Sequence, residues 1–474
     1  MSTSFDGLQF PIHPGKHKPS TSSTGKQIIA EALATVDHQS SVDALAEKNW
    51  RKHYPKYFKA LVINGIRKQA NAIQIAEDGL RKAHQSFEFY RHEQKYVLKD
   101  VMHLPTETLH TFKLQGSSQA APEWYVPYRG QKLQGQALLD QIAIWLAAGI
   151  IEPSHAEALN AAVAHPEWFD LSDRNMVLFG AASEAGPLTW LAKWKANIIA
   201  VDLPNSRVWN KILSTVQQGN ATLYAPSTTQ LAADTPFDVL TEQLGANLLT
   251  QTPEIAQWLA QKTETLDLAA IAYLDGEKHV RVAMAMDAIM QYVSEHKADS
   301  SLMFMCTPTD VYAVPEEVIS ASAEKFQQRS QGQKLLTKCI ETISRSHFFQ
   351  KNLHNLIASD NGQHYGIADC LVVEQGPNYA LAKRIQQWRA ILARHQGQRV
   401  SINIAPSTTT HSVTKNPLLK AAFSGASLFD VEAFSPETTN AIMAALWVHD
   451  LRSPKSAANP EVELAHPLEL MMKG

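Results

Sequence analysis

Met176-Val177-Leu178-Phe179-Gly180-Ala181-Ala182-Ser183-Glu184-Ala185-Gly186 is the stretch that decides the fold. Four apolar residues without alternation read as a strand buried on both faces. A small-residue turn with two glycines follows, then an apolar helical pattern from Leu188 to Ala196. Glycine lets a backbone close in on a phosphate, and a helix N-terminus attracts an anion. Gly180, Ala182, Ser183 and Gly186 are therefore candidate phosphate-turn residues. A second unbroken apolar run, Asn197 to Val201, ends at Asp202. A carboxylate there can accept from a ribose 2′-hydroxyl and repels a 2′-phosphate.

Working outward, apolar strands alternate with helices. The pattern predicts strand Leu268 to Tyr273, helix His279 to His296, strand Leu302 to Cys306, strand Cys370 to Val373, helix Tyr379 to His395 and strand Val400 to Ile404. Such alternation predicts an α/β fold, a doubly wound parallel sheet covered on both faces, over residues 171–474. Residues 315–366 break the rhythm and read as a helical insertion. Residues 1–170 read as a mostly helical N-terminal region, with a mobile first 25–30 residues rich in Ser, Thr, Lys and Pro. Within it, the Pro- and Gly-containing residues 103–135 read as a long loop.

Composition narrows the function. The 474 residues suggest more than one domain. A net charge of -3 gives no reason to expect nucleic acid or an anionic membrane as partner. No apolar run reaches the length of a membrane span. The three cysteines, Cys306, Cys339 and Cys370, are widely spaced and fit reduced thiols in a cytoplasmic protein. The histidines form no metal-binding pair, so no metal is expected.

Tyr379 and Lys383 carry the chemistry. Residues four apart share a helix face. An ammonium beside a phenol is expected to lower the phenol's pKa and equip it for proton transfer. Asn247, in Gly245-Ala246-Asn247-Leu248, can hydrogen-bond an adenine edge or cap a turn.

Taken in chain order, these segments resemble the short-chain dehydrogenase/reductase superfamily, whose sheet is of the Rossmann type. The family's TGxxxGxG turn is similar to Phe179 to Gly186, and its adenine-contacting Asp-Val-Thr to Asn247-Leu248-Leu249-Thr250. Its YxxxK pair matches Tyr379 and Lys383, and its RVNxVxPG strand resembles Arg399 to Pro406, with Ser407-Thr408-Thr409-Thr410 behind it. The resemblance covers roughly residues 174–455.

It implies a nicotinamide dinucleotide cofactor, NAD over NADP on the strength of Asp202, and a small-molecule substrate with a carbonyl or secondary alcohol. It implies Tyr379 as proton carrier and Lys383 as its partner. Thr307, with Thr309 as alternative, would supply the hydroxyl that steadies the substrate oxygen. Pro406 and Thr409 or Thr410 would lie near the carboxamide. A homodimer is implied too, through the helix carrying Met284, Met286 and Met290, which otherwise read as core. Three departures stand out: Glu184 in the turn, Ala272-Tyr273-Leu274-Asp275-Gly276 in place of Asn-Asn-Ala-Gly, and no serine just before the tyrosine. The first two also fit a non-catalytic ligand-sensing or interaction protein. Thr309-Asp310-Val311-Tyr312 fits a nucleotide-sugar epimerase or dehydratase. Tyr312, His347, Phe348 and Phe349 are candidate pocket residues of the insertion.

Overall fold

Seven strands build the central sheet in the computed structural model, which describes residues 6–15, 17–343, 353–410, 420, 423–424 and 431–473. They are β1 (His110–Gln115), β2 (Asn175–Phe179), β3 (Asn197–Val201), β4 (Thr222–Ser227), β5 (Asp267–Ala270), β6 (Ser301–Cys306) and β7 (Val400–Ile404). Their order across the sheet is β7-β6-β5-β2-β3-β4-β1. All neighbours are parallel except β1, which runs antiparallel to β4 at the edge. From β2 the chain steps outward to β3 and β4, then returns to lay β5 beside β2. This is the Rossmann-like order, and the reversal leaves a crevice between the carboxyl ends of β2 and β5.

Two of these strands differ from the expectation. β4 carries polar residues and Pro226, so it shows no apolar run, and β1 lies inside the stretch read as a loop. β1 is the edge strand, and β4 beside it begins with alternating buried and half-buried residues, so neither requires a continuous apolar run. The segment Cys370 to Val373 is no strand; His364–Asp369 is, and it pairs with Val311–Pro315 and Leu353–Ala358 in a separate three-stranded antiparallel sheet. The insertion thus combines the helices Glu316–Gln328 and Gln331–Ile343 with this sheet.

The helix after β2 is also shorter than its pattern. It spans only Leu188–Leu191. The Ala192 carbonyl accepts from the Asn220 and Ala221 amides, at 2.8 and 3.2 Å, instead of extending the helix. Burial of Trp190 and Trp194 beside each other draws the chain into this turn.

The N-terminal region folds as helices Thr21–Ala34, His38–Ala46, Trp50–Arg67 and Gln69–Ser86. Before these helices, Gly7–Gln9 forms a strand paired with Glu88–Arg91, and Ser20 caps the first helix at Ser23. The region also supplies β1, so the sheet extends across the expected boundary at residue 170. Its helices pack on Glu277–His296 and Pro377–His395, two helices that cover one sheet face. A Cβ on Gly79 would stand 2.5 Å from the Trp388 ring, so only glycine permits this approach.

A buried charge network locks the contact. Arg389 donates twice to Asp287, at 2.7 and 2.9 Å, and the His84 ring nitrogen lies 2.6 Å from the same carboxylate. Met284, Met286 and Met290 are fully buried in this core. The face expected to serve a dimer is therefore occupied by the chain's own helices. No helix of the described residues is long and apolar enough to cross a membrane.

Candidate functional site

A crevice of about 790 Å³ lies at the strand reversal, lined by Gly180, Ala182, Ser183, Asp202, Asn247 and Leu248 among others. Its position follows from topology: loops leaving β2 and β5 diverge there, so nothing fills the gap between them. Gly180 makes the exit from β2 possible. Its φ is +84°, and a Cβ there would meet the Ala272 backbone at 2.6 Å.

The turn spends its amides internally. Gly180 donates to the Val201 carbonyl at 2.8 Å, Ser183 to Gly180 at 2.9 Å and Gly186 to Ser183 at 3.1 Å. The Ala182 amide donates to Asp202 Oδ2 at 2.8 Å. Asp202 Oδ1 accepts from Leu203 at 2.8 Å. Burial pushes the Asp202 pKa up, and these two bonds offset part of that. Asp202 thus braces the turn as well as lining the crevice. Asn247 Oδ1 accepts from the Leu249 amide at 2.9 Å, so its carbonyl serves the turn.

Gly186 lines a neighbouring cleft of about 490 Å³, as do Glu184, Ser435 and Asn440. Glu184 is exposed there, outside the main crevice. Pro406, Thr409 and Thr410 are not brought to the crevice either. The Thr409 amide and hydroxyl both donate to the Phe434 carbonyl, at 3.0 and 3.1 Å, and the Pro406 carbonyl accepts from Thr408.

Thr307, Tyr379 and Lys383 gather at the carboxyl end of β6. Arg384 and Gln387, one helical turn beyond Tyr379 and Lys383, reach Asp310 at 3.1 and 2.9 Å. The Tyr312 hydroxyl donates to the Thr307 carbonyl at 2.5 Å. These bonds pin the Thr307–Asp310 loop against the helix Pro377–His395. The Thr307 hydroxyl bonds that of Thr309 at 2.9 Å and sits close enough to the Tyr379 phenol to affect its titration. Lys383 donates to the Met305 carbonyl at 3.0 Å and to Gln386 at 3.3 Å.

The electrostatics differ from the expectation. Burial raises the Tyr379 pKa above that of an ordinary phenol; Thr307 pulls it back, while Asp310 and Cys306 add to the rise. Lys383 is itself pushed down by burial, which Cys306 and Asp310 partly oppose, and its ammonium is bonded to the Met305 carbonyl of β6. In a dry site the cost of creating a phenolate exceeds the help of a lysine turned elsewhere.

Two side chains of the site were not identified from the sequence. His279 is 2 % exposed and stacks on the Tyr379 ring at 5.4 Å. Neither of its ring nitrogens has a hydrogen-bond partner. Burial, then Lys383, pushes its pKa down to about 3, so the ring is neutral. An unpaired buried polar atom costs about 1–3 kcal/mol. Tyr273 lines the crevice, packs on His279 at 4.7 Å and meets Tyr379 edge-on at 6.3 Å. It joins the crevice to the Tyr379 cluster. A lone histidine and a lone tyrosine carry no sequence signal, because their partners lie about a hundred residues away.

Tyr312 is buried behind Thr307; His347, Phe348 and Phe349 lie outside the described residues. Among the described residues no three His, Cys, Asp or Glu side chains gather as metal ligands would. No protein-family model, curated protein or solved structure matches the chain.

Proposed function

We propose that the chain is an oxidoreductase that transfers hydride between a nicotinamide dinucleotide, NAD in preference to NADP, and a carbonyl or secondary alcohol. One observation carries the reading. Thr307, Tyr379 and Lys383, which the sequence separates by an insertion, come together beside a crevice at the strand reversal. The residues present fit such a cofactor: Asp202 offers carboxylate oxygens to a ribose hydroxyl, and Tyr273 leads from the crevice to Tyr379.

The cofactor would supply the hydride. The protein's part is the proton. Tyr379 keeps its proton through neutral pH, which suits it to donate to a substrate oxygen as a carbonyl is reduced. Thr307 would orient that oxygen. Lys383 would offset the charge of the phenolate left behind by turning its ammonium from the Met305 carbonyl.

Fluorescence titration with NADH and NADPH tests the first step; failure of both to bind at millimolar concentration removes the reading. Tyr379→Phe is expected to abolish turnover and leave NADH affinity nearly intact. Retained turnover would mean that another group moves the proton. A second reading, a Rossmann-like ligand sensor without catalysis, draws on the turn whose amides are already bonded. It predicts binding without turnover on any carbonyl.

A further inference from the structure

We propose that the N-terminal strand Gly7–Gln9 is a wall of the crevice, and that Asp6, the residue before it, reads the amino group of an adenine base. The inference rests on reading the crevice as a nucleotide site. Backbone bonds stitch the strand to two other elements that line the crevice. The Leu8 amide donates to the Leu249 carbonyl at 2.8 Å, and the Leu8 carbonyl accepts from Arg281 Nε at 2.5 Å. Leu249 and Arg281 both line the crevice. Gly7 has a φ of +89°, and a Cβ there would stand 2.3 Å from the Leu249 carbonyl oxygen, so only glycine lets the strand lie this close. Leu8 is fully buried, and Phe10 packs on Phe87 at 4.7 Å. The wall therefore belongs to the folded core.

Side chains of this wall complete a site for a base. Asp6 and Gln9 line the crevice together with Asn247 and the apolar Leu203, Val208 and Leu248. Apolar side chains suit the faces of a heterocycle, and a few polar groups fix its edge. Asn247 Oδ1 is taken by the Leu249 amide at 2.9 Å, which leaves Nδ2 to donate. An ionised carboxylate only accepts, so Asp6 supplies the complementary acceptor. One donor and one acceptor match the edge of adenine, whose amino group donates beside a ring nitrogen that accepts. Hypoxanthine puts a carbonyl oxygen where adenine has the amino group, and that oxygen would face a carboxylate.

Calorimetric titration of the full chain with ADP, IDP, NADH and the hypoxanthine analogue of NADH tests this. The adenine ligands are expected to bind about tenfold more tightly than their hypoxanthine counterparts. Asp6→Asn keeps the shape of the side chain and should erase that preference, because an amide can donate to the hypoxanthine oxygen. ADP should also slow hydrogen exchange at the Leu8 amide. An unchanged adenine preference in the variant, equal affinity for both bases in the wild type, or exchange at Leu8 unaffected by bound ADP overturns the proposal, even if NADH is turned over. An Asp6-dependent preference with no turnover of NADH leaves the proposal standing and removes the oxidoreductase reading. No binding of any of the four ligands overturns both.

Discussion

Tyr379 and His279 form a stacked pair in which each ring bears on the other's chemistry. Burial holds the proton on Tyr379 and keeps His279 neutral. A structural histidine would be bonded, as His84 is to Asp287. His279 is not, so removing it should cost the fold nothing. His279→Phe preserves the stack and deletes two unpaired polar atoms; the fold is expected to be unchanged or about 1 kcal/mol more stable. Urea unfolding decides this, and a clear loss of stability would mean that the ring has a structural partner. Tyr379, Lys383 and Thr307 were legible in the sequence because they belong to a motif order. The direction of the Tyr379 pKa was not, because spacing on a helix says nothing of where a lysine's ammonium ends. Lys383 turns to β6.

The elements depend on contacts between helices distant in the chain. Asp287 joins helix Gln69–Ser86 to helix Pro377–His395 through His84 and Arg389. Burial alone would raise its pKa, but the Arg389 guanidinium and the bonds from Arg389 and His84 hold it well below the usual carboxylate range. A depressed carboxylate stabilises the fold above its unfolded pKa, about 4, and that contribution is lost as pH falls through the folded value. Asp287→Ala leaves a buried guanidinium unpaired and is expected to cost about 3–5 kcal/mol. Denaturant unfolding at several pH values checks both points: the variant should lose less stability than wild type between about pH 4 and pH 2. Faster hydrogen exchange over Gln69–Ser86 would locate the damage. The helix after β2 illustrates the opposite effect. Its pattern runs to Ala196, yet tertiary hydrogen bonds to the Ala192 carbonyl stop it at Leu191.

Across the whole molecule, the N-terminal helices act as a cover for the sheet's own helices. Without them the apolar faces of Glu277–His296 and Pro377–His395 would meet water. A chain starting at Pro105 keeps every strand of the main sheet, yet it is expected to aggregate. Size-exclusion chromatography gives the answer, and a monomer that unfolds cooperatively would refute the covering role. The same packing explains which features were readable beforehand. By itself the sequence determined the parallel strands β2, β3, β5, β6 and β7, the two long helices and the Tyr379/Lys383 face. Strands buried on both sides must be continuously apolar, and a helix face repeats locally. Only the tertiary structure decided the edge strand β1 and its neighbour β4, the short helix after β2, the cover over helix Glu277–His296 and the stack of Tyr273, His279 and Tyr379. Each of these depends on a neighbour far away in the chain, and a local pattern carries no record of such a neighbour.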